Sequence, residues 1–273
     1  MEASGGPARF TDEQRLAFGR AAELYDEIRP GYPKNVVDGL ILTADLVDGD
    51  RVYEVGAGTG KGTIELARRG LAVLGIEPDP SMLRIARRHC MAFDRVSLIA
   101  SDFEHFDQTA PRRALISFQA WHWTAPELRY QRAHRLLSPG GTLAAIWSFP
   151  DWQRCSLRQT LVAAYEGSAP GMGADFPMHP ASEPTALAGD WQVETTAAGL
   201  FENPTVRLFR WCCRYSSTEY IRLLQTHQDH ILLTADRRSR LLTTIYNAIE
   251  VGGGTIDLPL TSHLCTASRR DGA

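Results

Sequence analysis

Val52-Tyr53-Glu54-Val55-Gly56-Ala57-Gly58-Thr59-Gly60-Lys61-Gly62 runs an apolar strand into three alternate glycines and then into a helical pattern. Glycines at a strand-to-helix turn remove the Cβ atoms that would hold the backbone away from a ligand, and they allow dihedrals closed to other residues. The loop therefore reads as a seat for a nucleotide-type cofactor. Its spacing narrows the choice. A dinucleotide site needs G-x-G-x-x-G, whereas Gly56, Gly58 and Gly60 give G-x-G-x-G and Lys61 stands where the last dinucleotide glycine belongs. No G-K-[ST] closes the run, which excludes a P-loop. Seventeen residues after Gly60 the run from Ala72 to Ile76 ends in Glu77, followed by Pro78, Asp79 and Pro80. An acidic side chain at the end of a second strand can accept both hydroxyls of a ribose. Glycine loop and Glu77 together imply an adenosine-containing ligand.

Working outward, apolar strands alternate with amphipathic helices: strands at 51–55, 72–76, 95–100, 114–118 and 141–147, helices at 60–69, 80–90 and 126–137. Such interleaving indicates βαβ crossovers and a parallel sheet covered on both faces, with ligands at the carboxyl ends of the strands. Upstream, residues 1–9 read as a flexible tail. Thr11 and Gln14 form a capping box for a helix with apolar positions Ala17, Ala21, Leu24, Tyr25 and Ile28, which Pro30 stops. Pro33 suits the first turn of a second helix carrying Val36, Val37, Leu40 and Ile41.

Downstream of Ser148 the composition changes. Residues 167–184 hold four prolines and three glycines and read as a long loop. A strand at 204–214 precedes two helices, one capped by Ser216 with Glu219, the other by Thr234 and ending near Gly252. A last strand at 255–266 returns antiparallel to finish the sheet. The expected organisation is one domain over 10–273: a helical cap at 10–45, a cofactor-binding core at 46–148, and a C-terminal half at 149–273 with lid insertions at 149–184 and 216–250.

Composition sets outer bounds. Of 273 residues, 44% are hydrophobic and 22% charged, ordinary for a globular chain. Twenty-nine basic and 32 acidic residues leave a net charge of −3, which supplies no global basic field for a nucleic-acid backbone. Five cysteines, at 90, 155, 212, 213 and 265, form no C-x-x-C pair and fit reduced thiols. With no basic-then-apolar signal at the start and no run of about 18 apolar residues, the expectation is a cytoplasmic protein with no membrane partner.

At this point the chain resembles the class I S-adenosylmethionine-dependent methyltransferases, in the small-molecule branch known as methyltransferase type 11, which includes trans-aconitate-methyltransferase-like proteins. Glu54-Val-Gly-Ala-Gly-Thr-Gly60 matches that family's E/D-x-G-x-G-x-G loop. Further matches follow in order: Gly75-Ile-Glu-Pro-Asp-Pro-Ser-Met-Leu83, Ser101-Asp-Phe-Glu104, and His134-Arg-Leu-Leu-Ser-Pro-Gly-Gly-Thr-Leu143. Tyr25-Asp-Glu-Ile-Arg-Pro-Gly-Tyr-Pro33 is similar to the branch's Y-x-x-x-R-P-x-Y-P segment. The resemblance is strong over roughly residues 18–148 and weaker beyond.

That resemblance implies an α/β, Rossmann-like, seven-stranded, mostly parallel sheet with helices on both faces, an antiparallel last strand and a lid of helical and loop insertions. It implies S-adenosyl-L-methionine as cofactor, S-adenosyl-L-homocysteine as product and no metal. Backbone at Gly56, Ala57 and Gly58 would pass against the methionine and ribose portions, with Glu54 shaping the loop or meeting the ammonium directly or through water. Glu77, with Pro78 beside it, would take the ribose hydroxyls, Met82 would lie by the adenine, and Asp102 would accept the adenine amino group beside the Phe103 N–H. Gln119 would face the methionine end, over which Tyr25 and Arg29 close, the latter meeting the carboxylate or else neutralising Asp26 or Glu27.

The partner expected is a small-molecule methyl acceptor, contacted by Tyr25, His122 and Trp123, with oxygen preferred over nitrogen or carbon. His122, in Phe118-Gln-Ala-Trp-His-Trp123 after the fourth strand, is the candidate general base, unless it only packs that loop. Trp121 and Trp123 either wall the acceptor pocket or belong to the core. The signature [ND]-P-P-Y of base-amino methylation is absent after strand four, which argues against nucleobase substrates and nucleic-acid partners. His227-Gln-Asp-His230 has metal-like spacing without a third ligand and reads as a solvated helix end. A catalytically silent cofactor-binding subunit is the alternative function.

Overall fold

A computed structural model of the chain describes residues 22–108, 110–172, 176–182 and 191–271. The tail at 1–9, the Thr11–Gln14 capping box, and Ala17 and Ala21 lie outside the described residues, as do parts of the 167–184 segment.

The described elements are, in order, α1 (Ala22–Ile28), α2 (Lys34–Thr43), β1 (Arg51–Val55), α3 (Lys61–Ala67), β2 (Ala72–Glu77), α4 (Pro80–Cys90), β3 (Val96–Ala100), β4 (Arg112–Phe118), α5 (Pro126–Leu136), β5 (Leu137–Pro150), α6 (Arg158–Ser168), α7 (Trp191–Ala197), β6 (Phe201–Ser216), α8 (Ser217–Leu224), α9 (Gln228–Ile231), α10 (Ala235–Val251) and β7 (Thr255–Arg269). Single 3₁₀ turns lie at Trp121–Trp123 and Trp152–Arg154. The strands form one sheet in the order β3-β2-β1-β4-β5-β7-β6. Neighbours from β3 to β5 are parallel, and β7 runs antiparallel to both β5 and β6.

Successive side chains of a strand point to opposite faces, and the core divides accordingly. Val52, Ala114, Ile116, Ala144 and Ile146 meet Val36, Val37 and Leu40 of α2 on one face. Their neighbours Tyr53, Leu115, Leu143, Ala145 and Trp147 meet Tyr130, Ala133 and Leu136 of α5, and Trp191 of α7, on the other. The parallel strands bury both faces, which is why they read as continuous apolar runs.

The last strand corrects one expectation. It does not close the sheet at its edge but inserts between β5 and β6, so that β6 is the edge. Both β6 and β7 outrun the core. Their distal halves, Trp211–Ser216 paired with Thr255–Leu260, carry a separate apolar cluster in which Ile256, Leu258 and Leu260 pack with Trp152, Leu161, Tyr165, Tyr220, Leu223, Leu241, Ile245 and Ile249. The segments expected as a lid thus build a small second core on a strand extension.

Within the lid, α8 begins with the expected capping box, with the Glu219 N–H directed at Ser216 Oγ and the Ser216 N–H at Glu219 Oε2. Thr234 stands at the N-cap of α10, but its side chain makes no capping bond. The segment read as loop from 167 is helical to Ser168, because α6 packs Leu161, Ala164 and Tyr165 into the lid cluster. The five cysteines are free. Among the described residues no helix is long and apolar enough to cross a membrane.

Candidate functional site

The glycine loop crosses the carboxyl end of β1, with Gly56 and Ala57 donating their N–H groups to Ile76 O at 2.9 and 3.0 Å. Gly56 has φ +73°, and a Cβ there would stand 2.3 Å from the Ala120 methyl, so loop and β4 end touch backbone to side chain. Gly58 has φ +56°, yet a Cβ there meets no atom within 4 Å. The space above Gly58 is open, as a ligand cradle requires.

Glu54 lies beneath the loop, 1% exposed. Thr63 Oγ1 donates to its Oε2 at 2.5 Å, and its Oε1 is buried without a partner among the described residues. Burial, and to a lesser degree the Glu77 charge, pushes this carboxyl up to about 8 against the lowering effect of the Thr63 bonds. A buried acceptor left unsatisfied costs about 1–3 kcal/mol, and a bound ammonium or water would remove that cost.

Glu77 ends β2, 7% exposed. It accepts from the Gly58 N–H at 2.8 Å and the Asp79 N–H at 2.9 Å, so the glycine loop and the start of α4 share one carboxylate. Burial raises it to about 7. Pro78 follows it, and Asp79 caps α4 by accepting from the Ser81 and Met82 N–H groups. Met82 is buried with Ala22 and Ile85, and Tyr25 packs against that cluster. Asp102, a third exposed, accepts from the His105 backbone at 2.7 Å and pairs with its ring. Phe103 is buried against Trp121.

At the end of β4, Gln119 takes φ +56°, a conformation costly for a non-glycine residue and common at functional sites. Its backbone N–H donates to Ile146 O and its amide to Ser148 O. In the turn that follows, Trp147 Nε1–H donates to His122 Nδ1 at 3.0 Å. That bond uses the Nδ1 lone pair, so the neutral ring carries its proton on Nε2. Burial first, and then the Arg129 guanidinium, lowers His122 to about 4. Arg129 in turn pairs with Glu194 of α7 and donates to Trp121 O, bracing the turn. Trp121 is 1% exposed and belongs to the core, while Trp123 is partly exposed beside the His122 ring.

The first described helix, α1, is fastened to the elements around the site. Asp26 meets Lys61 Nζ at 3.9 Å and His89 Nε2 at 3.2 Å, and Lys61 also donates to Asp26 O, so α1 is tied to the glycine-loop helix and to α4. Glu27 pairs with Arg222 of α8. Arg29 therefore neutralises neither Asp26 nor Glu27: its Nε donates to Thr226 Oγ1 at 2.7 Å and its Nη2 to Thr226 O at 3.0 Å, with the guanidinium 5.0 Å from the Tyr25 ring centroid. Burial lowers the Arg29 pKa and holds Tyr32 well above the phenol range; Tyr25 and Glu54 add to the effect on Tyr32. Tyr32 is only partly exposed and packs 4.5 Å from Phe118. Arg29 and Tyr32 are both partly exposed, and the Glu54 carboxylate beneath the glycine loop is close enough to Tyr32 to act on its hydroxyl.

The sequence reading missed three members of this arrangement. Tyr32 was visible in the Y-x-x-x-R-P-x-Y-P segment but carried no assignment. Thr226 has no local signal, since it lies 197 residues from Arg29. The His227–His230 segment is not a solvated helix end. His230 is 0% exposed, with Nδ1 2.8 Å from Asp229 Oδ1 and Nε2 2.8 Å from the Tyr165 hydroxyl.

Comparison with known proteins agrees with this geometry. Residues 52–141 match a family described as methyltransferase domain. That match covers a third of the chain, the stretch from β1 into β5. An uncharacterized methyltransferase of Mycobacterium tuberculosis is 36% identical over 140 residues, 51% of this chain and 55% of the relative, so the similarity spans about half the length of each. A demethylmenaquinone methyltransferase of Tropheryma whipplei is 35% identical over 99 residues, 33% of this chain and 39% of the relative. Phosphoethanolamine N-methyltransferase 2 of Haemonchus contortus, solved with phosphomonomethylethanolamine and S-adenosylhomocysteine, is 14% identical with a TM-score of 0.54, covering 95% of this chain and 59% of its own. The [4+2]-cyclase SpnF superposes with a TM-score of 0.56 at 17% identity over 98% of this chain and all of its own. These structural likenesses show the fold. Because that fold serves a cyclase as well as methyltransferases, function has to be argued from the residues of the site itself.

Proposed function

We propose that the protein transfers a methyl group from S-adenosyl-L-methionine to a small-molecule acceptor, leaving S-adenosyl-L-homocysteine. The observation that carries this reading is the pairing of an open cradle at Gly58 with the partnerless Glu54 Oε1 beneath it and the Glu77 carboxylate beside it. Those residues fit an adenosyl amino acid: Glu54 offers an acceptor to an ammonium, and Glu77 offers its oxygens to ribose hydroxyls at the strand end. Met82 and Asp102 with Phe103 are assigned to the adenine. Arg29, held by Thr226, is assigned to a carboxylate, with Tyr25 against its guanidinium face and Gln119 on the methionine side.

When bound, the cofactor supplies a sulfonium methyl with a good leaving group. The protein's part is then positioning, which can be worth roughly 7–11 kcal/mol. The acceptor would enter between Tyr25, His122 and Trp123. Oxygen remains the preferred atom through the similarity to the trans-aconitate-like branch, and a cytoplasmic location remains the reading of the sequence. A cofactor-binding subunit without turnover is the competing function. Calorimetry with S-adenosylhomocysteine and NAD tests the cofactor. A radiolabelled-methyl screen across metabolite pools tests turnover. Saturable NAD binding with no response to S-adenosylhomocysteine would overturn the proposal, and cofactor binding with no labelled product would favour the silent subunit.

A further inference from the structure

His122 and His227 differ in what their ring nitrogens already do. His122 accepts the Trp147 indole N–H on Nδ1. His227 directly follows Thr226, whose hydroxyl and carbonyl hold Arg29, and among the described residues its ring makes no hydrogen bond. His227 is only partly exposed, yet burial, the Arg29 charge and His230 together push its imidazole well below the usual histidine range. A partly exposed ring without a hydrogen-bond partner among the described residues is free to meet a ligand. Asp229, two residues on, keeps Oδ2 buried without a partner among the described residues.

Resting on the reading above, we propose that His227 is the lid residue that contacts the methyl acceptor and takes its proton, so that the acceptor is a hydroxyl or amine compound still protonated at neutral pH rather than a carboxylate. The bond that forms joins the acceptor atom to the methyl carbon, the bond that breaks is carbon–sulfur with its electron pair leaving on sulfur, and the acceptor's proton passes to His227. The positive charge lost from sulfur reappears on the imidazolium, so the site holds the same net charge before and after transfer. Burial, Arg29 and His230 all oppose protonation of His227 in the ligand-free protein. In the ligand-free protein the ring is neutral at pH 7, which leaves its lone pair available.

Acylation by diethyl pyrocarbonate, which attacks neutral uncommitted imidazoles, tests the placement without turnover. Peptide mass mapping of the ligand-free protein should show His227 modified at least tenfold faster than His122 or His230. A His227 as unreactive as His230 overturns the inference. Transfer of radiolabelled methyl to a panel of phenols, primary amines and carboxylic acids tests the role. The parent should label phenols or amines, and both His227→Ala and His227→Gln should lose about 10²- to 10⁴-fold in turnover, with the Kd for S-adenosylhomocysteine unchanged. Equal turnover in either variant, labelling of carboxylic acids alone, or no labelled product overturns the inference even where S-adenosylhomocysteine still binds. If the parent fails to bind S-adenosylhomocysteine, the cofactor reading falls and the inference falls with it.

Discussion

Replacing Glu54 by Gln should stabilise the ligand-free protein at alkaline pH while weakening its hold on the cofactor. The carboxyl is 1% exposed, one oxygen has no partner, and its pKa moves from 4.5 to about 8. A group whose pKa is raised on folding contributes stability that is complete below its unfolded value and is lost as the pH climbs through the folded one. The window here runs from about 4.5 to about 8. Each pH unit inside it costs about 1.4 kcal/mol, so from pH 5 to pH 8 the parent should lose about 3 kcal/mol through this group alone. Glutamine keeps the Thr63 bond and removes the titration. Its amide, placed where Oε1 has no partner, adds an offset of about 1–3 kcal/mol that does not vary with pH. Glu77, raised to about 7, slopes the same way in both proteins, so the difference between the two curves reports Glu54 together with its coupling to the Glu77 charge. Urea denaturation of parent and variant at pH 5, 6, 7 and 8 measures it. Curves that stay parallel would refute the claim that Glu54 is a carboxyl held at the cost of stability. In parallel, the variant should bind S-adenosylhomocysteine about 10- to 100-fold more weakly, as expected for a lost charged hydrogen bond of about 1.5–3 kcal/mol.

Gly58→Ala should cost only about 1–2 kcal/mol of stability through its left-handed dihedral, since the added methyl meets no protein atom, but it should abolish measurable S-adenosylhomocysteine binding by filling the cradle; unchanged affinity by calorimetry would move the ligand elsewhere. Thr226→Val should weaken cofactor or acceptor binding about tenfold by releasing the Arg29 Nε donor, and Thr226→Ser should restore it, because the hydroxyl is what Arg29 uses; equal loss in both variants would assign Thr226 to packing. His122→Ala should destabilise the fold by about 1–3 kcal/mol, the cost of leaving the Trp147 indole N–H without its acceptor. The parent's pH–rate profile should show no limb from His122 near 6.5, since that ring titrates near 4; a limb at 6.5 that disappears with His122 would restore it as general base.

Local chemistry made the first half of the chain legible. The strand, glycine loop and helix at 51–67, Glu77 at the end of β2, and the helix that follows Pro80 all depend on residues within a few positions of one another, so period and spacing report them directly. The Ser216–Glu219 capping box was readable for the same reason.

What escaped the sequence depends on pairings between distant residues. No local pattern states that β7 inserts between β5 and β6, or that the strand extension of Trp211–Ser216 with Thr255–Leu260 builds a second apolar cluster, since strand order follows from non-local burial. The site divides along the same line. Residue types marked Glu54, Glu77 and Asp102 as the acids proposed for the cofactor and His122 as the candidate base, whereas only the fold decided that Arg29 turns to Thr226 and that His122 accepts from Trp147 while the His227 ring makes no such bond among the described residues. A side chain's identity is written in the sequence, but its protonation and its free valences are set by the groups that folding brings against it.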